Sequence, residues 1–185
     1  MTPYHWILLA VEVAVLTWLC VIFISGVHSS IAGAPYVPTR PWRVRRILDF
    51  ADLKPSDVFY DLGCGDGRMI IAACRTFHVA RAVGYEATLW PALKARTLIR
   101  MRKVAGAEIH RANILKADCR PATFTYLYLF PEIVDSLAAK LAGELRSGAR
   151  VLSVSFPINT ARHPEFTLKK SQKIDSITAY LYERK

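Results

Sequence analysis

The amino-acid sequence predicts an α/β domain built on a mostly parallel sheet and preceded by one membrane-spanning helix. Strand-like and helix-like runs alternate from residue 58 onward, which is typical of a parallel sheet covered by helices on both faces. The segment Trp6–Val27 is apolar over a length sufficient to cross a bilayer. The 185 residues of the chain suffice for one ordinary domain with an appendage.

The apolar segment Trp6–Val27 contains a single charged residue, Glu12. A carboxylate inside hydrocarbon costs about 2.5–3.5 kcal/mol on insertion scales, and the surrounding Leu, Ile, Val, Phe and Trp side chains outweigh that cost. A signal peptide is disfavoured because the apolar run is long and no Lys or Arg precedes it. A buried core helix is the other interpretation. We expect a tail at residues 1–5 and a retained single-pass anchor at 6–27.

The charge distribution predicts an orientation for this anchor. The chain has 25 Lys and Arg against 15 Asp and Glu, a formal charge of +10, and every basic residue lies at Arg40 or beyond. The positive-inside rule then places the N-terminus outside and the remaining domain in the cytoplasm. A basic surface attracts anionic lipid or nucleic acid, or is simply solvated. The four cysteines form no CxxC pair, which predicts reduced thiols and no metal site.

The rest of the chain is predicted as a Pro-rich linker at 28–41 and a domain at 42–185. A short amphipathic helix opens the domain, with apolar residues at helical spacing: Val44, Ile47, Leu48 and Ala51. We predict strands at 58–62, 81–86, 107–111, 125–130 and 149–156, and helices at 67–77, 89–103 and 131–145. The segments FTLKKSQ and SITAYLYER are predicted to close the sheet as an antiparallel pair.

The stretch YDLGCGDGR, residues 60–68, predicts a ligand-binding loop at the end of the first of these strands. Gly63, Gly65 and Gly67 permit tight turns and leave no side chain between backbone and ligand. Dinucleotide-binding loops read GxGxxG, whereas this last glycine comes one residue earlier. The opening carboxylate of Asp61 suits a cofactor that carries an ammonium group. A P-loop is excluded because no GK[ST] follows.

Two further polar residues extend the predicted cofactor site. Glu86 ends the second strand, 19 residues after Gly67, where an acidic side chain accepts hydrogen bonds from both hydroxyls of a ribose. Asn113 follows the third strand, where its amide can bond an adenine edge while Ile114 packs on the ring. Each residue also fits an ordinary role in a turn or on the surface. Ammonium, ribose and adenine together predict S-adenosylmethionine.

The motifs DLGCGDGR and VGYE, with the layout around them over residues 40–185, resemble class I S-adenosylmethionine-dependent methyltransferases. That resemblance implies a Rossmann-like seven-strand sheet. A membrane span followed by GAPYVPT and KPSDVFYDLGCGDGR resembles the membrane-anchored protein-lysine methyltransferases, whose mitochondrial members methylate the ATP synthase c subunit and the adenine nucleotide translocase. The segments FPEI and ARVLSVSFP are similar to the later part of that family.

The resemblance implies S-adenosylmethionine as cofactor and a protein lysine, in or near a membrane, as acceptor. In the family, the segment matching residues 36–39 closes over the cofactor. Cys64 stands where such loops often have Ser, and Asn113 stands where Asp is common. The positions carried over or argued as cofactor contacts are Tyr36, Thr39, Asp61, Gly63, Cys64, Gly65, Asp66, Gly67, Glu86, Asn113 and Ile114.

Candidate catalytic residues are Pro131 and Glu132, which follow the fourth strand beside the expected methyl position. Glu132 either orients an ammonium group or stabilises a helix N-terminus. The Asn/Asp-Pro-Pro-aromatic motif of adenine- and amide-N methyltransferases is not found here, which disfavours those acceptors. Aromatic walls would suit a methylated ammonium, although alternating tyrosines also fit a packed strand face; the candidates are Tyr36, Tyr126, Tyr128 and Phe130.

Two other function classes stay open at this point. A membrane anchor would equally serve a methyltransferase for a lipid or small-molecule amine. The basic helix that contains Lys94, Arg96, Arg100, Arg102 and Lys103 would suit a nucleic-acid methyltransferase or a non-catalytic binding module, although a membrane span makes nucleic acid a less suitable partner.

Overall fold

The computed structural model describes residues 3–31 and 39–185, with side chains described at 4–21 and 39–185. The chain divides into two compact units, residues 1–35 and 36–185. Tyr36, a predicted cofactor contact, lies outside the described residues, as does the rest of the linker segment 32–38.

The first unit contains one long helix, α1 (Pro3–Ile31). Its 29 residues are equivalent to about 43 Å of helix, which exceeds the roughly 30 Å of a bilayer's hydrocarbon core. The window Tyr4–Val21 has a mean hydropathy of 1.8, and none of it is buried. Among the described residues, α1 is the one helix that is long and apolar enough to cross a membrane.

The second unit alternates helices and strands as the sequence predicts. The helices are α2 (Pro41–Phe50), α3 (Arg68–Thr76), α4 (Leu89–Met101) and α5 (Pro131–Glu144), with a 3₁₀ turn at Ile114–Lys116. The strands are β1 (Val58–Leu62), β2 (Arg81–Glu86), β3 (Ala107–Arg111), β4 (Phe124–Leu127), β5 (Arg150–Val154), β6 (Phe166–Ile174) and β7 (Ile177–Arg184).

These strands form a seven-stranded sheet in the order β3-β2-β1-β4-β5-β7-β6. The first five strands run parallel, and β7 pairs antiparallel with both β5 and β6. The predicted closing pair is therefore confirmed, and so is the predicted seven-strand α/β architecture. Because the chain order reverses between β1 and β4, the crevice for a ligand is expected at the carboxyl ends of those two strands.

The core lies on both faces of the sheet, as a parallel sheet requires. Phe59 of β1 and Phe124 of β4 stack in the interior at 5.7 Å between ring centroids. On α2, the predicted apolar stripe of Val44, Ile47 and Leu48 is buried. Pro41 and Pro131 each stand at the first turn of a helix, where the missing N–H costs no hydrogen bond.

Two predicted strands end earlier than their sequences suggest. Strand β4 stops at Leu127 rather than residue 130, because its partner β1 ends opposite it at Leu62, and Phe130 is already the N-cap of α5. Strand β5 stops at Val154 rather than residue 156, because Ser155 has a left-handed φ of 69° that no strand accommodates. Both early endings move aromatic residues, Phe130 and Phe156, out of the sheet.

Candidate active site

The glycine loop folds tightly at the carboxyl end of β1. Gly63, Gly65 and Gly67 all have left-handed backbone, with φ of 93°, 54° and 76°. Such angles favour glycine because it lacks a Cβ. The backbone N–H groups of Gly63 and Cys64 both donate to the carbonyl of Tyr85, at 2.8 and 3.0 Å. The loop is therefore fixed to the end of β2, and its last glycine is the N-cap of α3.

Glu86 connects the end of β2 to this loop. Its Oε2 accepts a hydrogen bond from the Gly65 N–H at 3.0 Å, and its Oε1 accepts one from the Thr88 N–H at 2.8 Å. The side chain is half-buried, and each carboxylate oxygen keeps a further lone pair. The Glu86 carboxylate is thus fixed in position and can still accept two more hydrogen bonds, which is what binding a pair of ribose hydroxyls requires.

Asp61 is a buried carboxylate at the end of β1, only 2% exposed. No residue in the described part of the chain donates a hydrogen bond to it or forms an ion pair with it. Burial raises its pKa well above the ordinary value, and the nearby charges of Glu86 and Asp66 raise the pKa further. A buried carboxylate without a donor is costly unless a ligand supplies one. Asp61 therefore suits a cationic group such as the ammonium of S-adenosylmethionine.

Replacing Asp61 by asparagine is expected to stabilise the cofactor-free protein while weakening cofactor binding. The raised pKa means that ionising Asp61 costs folding free energy as pH rises above 3.8, its ordinary value, so the stability gained by the variant grows with pH. Loss of a charged hydrogen bond weakens cofactor binding by about 10–100-fold. Thermal unfolding from pH 4 to 8 and calorimetric titration with S-adenosylhomocysteine measure both effects. Lower stability together with unchanged affinity would contradict this role.

The carboxylate of the loop residue Asp66 is held by two cationic side chains. It accepts two hydrogen bonds from the Arg68 guanidinium, at 2.8 and 2.6 Å, and the Lys94 ammonium lies 3.2 Å away. Sequence reasoning missed both partners. The carboxylate is thus engaged between α3 and α4, and a cofactor contact by Asp66 stays a prediction.

Two other predicted contacts are buried beside the loop. The Cys64 side chain is 5% exposed, and burial raises the pKa of its thiol well above the ordinary range, with the Asp61 and Glu86 charges adding to that rise. Cys64 is therefore a packed thiol, as its place against Gly84 also shows. Thr39 is buried, and its backbone carbonyl accepts a hydrogen bond from the Arg68 guanidinium.

Asn113 and Ile114 lie after β3, at the same edge of the sheet as Glu86. The Asn113 side-chain oxygen accepts a hydrogen bond from the Leu115 N–H at 2.9 Å and so caps the 3₁₀ turn. The amide nitrogen of the exposed Asn113 side chain can still donate to a ligand. Ile114 is half-buried, and the accessible part of its side chain could pack on an adenine ring.

Pro131 and Glu132 are exposed in the first turn of α5. The Glu132 carboxylate makes no hydrogen bond within the described residues, and the backbone carbonyl of Glu132 accepts one from the Ser136 hydroxyl at 2.9 Å. Glu132 therefore lies where a carboxylate stabilises a helix N-terminus, and its exposed side chain can also contact a methyl acceptor.

Of the aromatic candidates, Tyr126 is buried at 2% exposure, which supports the packed-face interpretation for that residue, whereas Phe130 is 41% exposed.

Comparisons with known proteins agree with this geometry. The ANTKMT methyltransferase domain family matches residues 61–165. A protein-lysine N-methyltransferase of Saccharolobus islandicus (strain REY15A) is 37% identical over 155 residues, covering 83% of this chain and 96% of the relative. An adenine nucleotide translocase lysine N-methyltransferase of Mus musculus is 34% identical over 128 residues, covering 68% of this chain and 55% of that relative.

A solved structure resembles the chain over most of its length. An RNA methyltransferase from Salinibacter ruber, in complex with S-adenosyl-L-homocysteine, has a TM-score of 0.73 and 33% sequence identity, covering 80% of this chain and 94% of that one. The loop, the anchored Glu86 and the buried Asp61, to which no residue in the described part of the chain donates, fit such a cofactor. The chain therefore belongs to the ANTKMT methyltransferase domain family and is an S-adenosylmethionine-dependent methyltransferase.

Proposed function

We propose that the chain transfers methyl groups from S-adenosylmethionine to lysine side chains of proteins, in or next to a membrane. Bound S-adenosylmethionine would supply the methyl group on a positively charged sulfonium. The observation that supports the cofactor assignment is the presence of two carboxylates at the switch point, where the strand order reverses between β1 and β4: the anchored Glu86, and the buried Asp61, which has no donor among the described residues. The named relatives, which are protein-lysine methyltransferases, support the acceptor half.

The residues divide between two sides of the switch point. Glu86 and Asn113, which follow β2 and β3, would hold the ribose and adenine, and Asp61 would hold the ammonium. Glu132, which follows β4, lies on the acceptor side. A lysine amine must be neutral to react, whereas its ordinary pKa is about 10.4. Partial burial of the acceptor lowers that pKa, and Glu132 would orient the ammonium before it loses its proton.

Replacing Glu132 by glutamine is expected to lower turnover about tenfold, because the acceptor is then held less accurately. Cofactor affinity should not change, since Glu132 lies on the acceptor side of the switch point. The measurement is steady-state transfer of tritiated methyl groups, with the exposed turn substitution Asp52→Asn as a control expected to keep full turnover. Unchanged turnover in the Glu132 variant would remove this residue from the mechanism.

The membrane arrangement is part of the same proposal. A span at 6–27, an outside N-terminus and a cytoplasmic domain at 42–185 are supported by the apolar helix α1 and by the restriction of basic residues to Arg40 and beyond. In sealed inverted vesicles, added protease should digest the domain. Protection of the domain from protease would contradict this orientation.

RNA is the second candidate acceptor, because a structure 33% identical to this chain is named an RNA methyltransferase. Lipid amines are the third candidate, since an anchored enzyme reaches them equally well. The test incubates the full chain and tritiated S-adenosylmethionine with membranes and cytosol from a strain lacking the chain. Base-resistant label in protein supports lysine transfer. Label confined to RNA would overturn lysine transfer in favour of an RNA acceptor, and label confined to lipid would overturn it in favour of a lipid amine.

A further inference from the structure

The segment after β5 adopts an unusual backbone at Ser155. Ser155 has a φ of 69°, in the left-handed region that non-glycine residues rarely adopt. Such a conformation costs of order 1–3 kcal/mol and persists where surrounding contacts enforce it, commonly at functional sites. It ends the strand and turns the next residue, Phe156, away from the sheet.

Several hydrogen bonds hold this turn in place. The hydroxyl of the fully buried Ser153 donates to the Phe156 carbonyl at 2.5 Å. The Ser155 N–H donates to the Thr178 carbonyl at 2.8 Å. Beyond the turn, the Tyr182 hydroxyl accepts from the Ile158 N–H at 3.0 Å. Anchors on both sides therefore fix the position of Phe156.

The fixed ring contacts a second aromatic side chain outside the core. The centroids of Phe156 and Phe130 lie 6.4 Å apart, with the rings tilted by 47°. Phe130 is 41% exposed and Phe156 is half-buried, whereas core phenylalanines such as Phe59 are fully buried. The pair therefore leaves aromatic surface open to solvent at a position that the backbone holds rigidly.

Strand order places this pair on the acceptor side of the switch point. Phe130 follows β4 and Phe156 follows β5, whereas Glu86 and Asn113 follow β2 and β3 on the other side of β1. Glu132 stands two residues after Phe130, in the first turn of α5. The same edge thus carries two solvent-accessible aromatic rings and, in the following helical turn, an exposed carboxylate; aromatic ring faces attract organic cations.

We propose that Phe130 and Phe156 form the binding wall for the cationic ammonium head of the acceptor lysine, and that they continue to bind this head when it is methylated. The inference rests on the proposed lysine transfer. Ring faces attract alkylammonium groups and require no hydrogen bond from them, so the wall continues to bind as N–H groups are replaced by methyl groups.

The test compares a cation with its neutral isostere. The probes are Nα-acetyl-trimethyllysine amide and the same compound with a tert-butyl group in place of trimethylammonium, bound to the full chain with S-adenosylhomocysteine present and followed by NMR titration. Wild type should bind the cation about tenfold more tightly, as a cation–π contribution near 1.4 kcal/mol implies. Phe156→Leu and Phe130→Leu should each remove most of that preference and leave S-adenosylhomocysteine affinity unchanged.

Phe50→Leu is the matched control, because this partly buried ring of α2 faces Lys170 at 4.8 Å and belongs to no strand end. It should keep the full preference. Leucine variants that retain the preference, or a wild type without one, would overturn the proposed wall. Failure of lysine transfer is separately visible, because wild type would then label no protein in the methyl-transfer assay whatever the leucine variants do in titrations.

Discussion

Replacing Glu86 by alanine is expected to weaken S-adenosylmethionine binding by about 100-fold or more. The carboxylate is the proposed acceptor for two ribose hydroxyls, and charge-assisted hydrogen bonds contribute about 1.5–3 kcal/mol each. The same carboxylate also fixes the loop through the Gly65 and Thr88 N–H groups. The substitution therefore removes ligand contacts and the loop's preorganisation together.

Calorimetric titration of the full chain with S-adenosylhomocysteine measures this effect. Glu86→Gln keeps the shape but turns an N–H group toward a backbone donor, so an intermediate loss of about tenfold is expected. Glu108→Ala is the matched control, because this exposed carboxylate of β3 pairs with Arg81 instead of the loop. A Glu86→Ala variant that melts as wild type does and still binds the cofactor normally would contradict the proposed role of Glu86.

Replacing Gly106 by alanine is expected to destabilise the fold by roughly 3–4 kcal/mol, a large effect for one substitution. The backbone at Gly106 has a φ of 74°, and an added Cβ would lie 2.3 Å from the carbonyl oxygen of Ala80. That oxygen belongs to the backbone just before β2, so relief requires the strand itself to move. For a domain of this size, the melting temperature should fall by about 10 °C.

Gly143→Ala is a control that is expected to raise the stability of the fold instead of lowering it. Gly143 lies within α5, and an added Cβ would meet nothing within 4 Å. Alanine there should stabilise the protein by roughly 0.5–1 kcal/mol through better helix propensity. Thermal unfolding of both variants in the same detergent separates steric overlap from a general effect of replacing glycine. Equal melting temperatures for the two variants would contradict the predicted overlap at Gly106.

Much of the fold follows from local sequence signals. The bounds of β1, β2 and β3 match their predictions, because each strand is a short run bounded by turn residues. The early ends of β4 and β5 could not be predicted in this way. Phe130 and Phe156 look like strand residues, and only tertiary hydrogen bonds, such as that from the Ser155 N–H to the Thr178 carbonyl, hold the left-handed backbone at Ser155.

In the candidate site too, local sequence signals predict some features, whereas others depend on tertiary packing. The sequence indicates Asp61 and Glu86 because their order after consecutive strands implies one common edge. It does not indicate that Arg68 and Lys94 hold the Asp66 carboxylate, since Lys94 is brought there only by the packing of α4. It gives no signal for Phe156, whose pairing with Phe130 depends on the turn after β5.

The most direct test of lysine transfer is methyl labelling of an extract whose lysines have first been acetylated. The full chain and tritiated S-adenosylmethionine are incubated with protein from a strain lacking the chain, either untreated or acetylated to completion. We predict label in a few bands of the untreated extract and essentially none after acetylation, because the blocked amines have no available lone pair. Protein label that survives acetylation would contradict transfer to lysine.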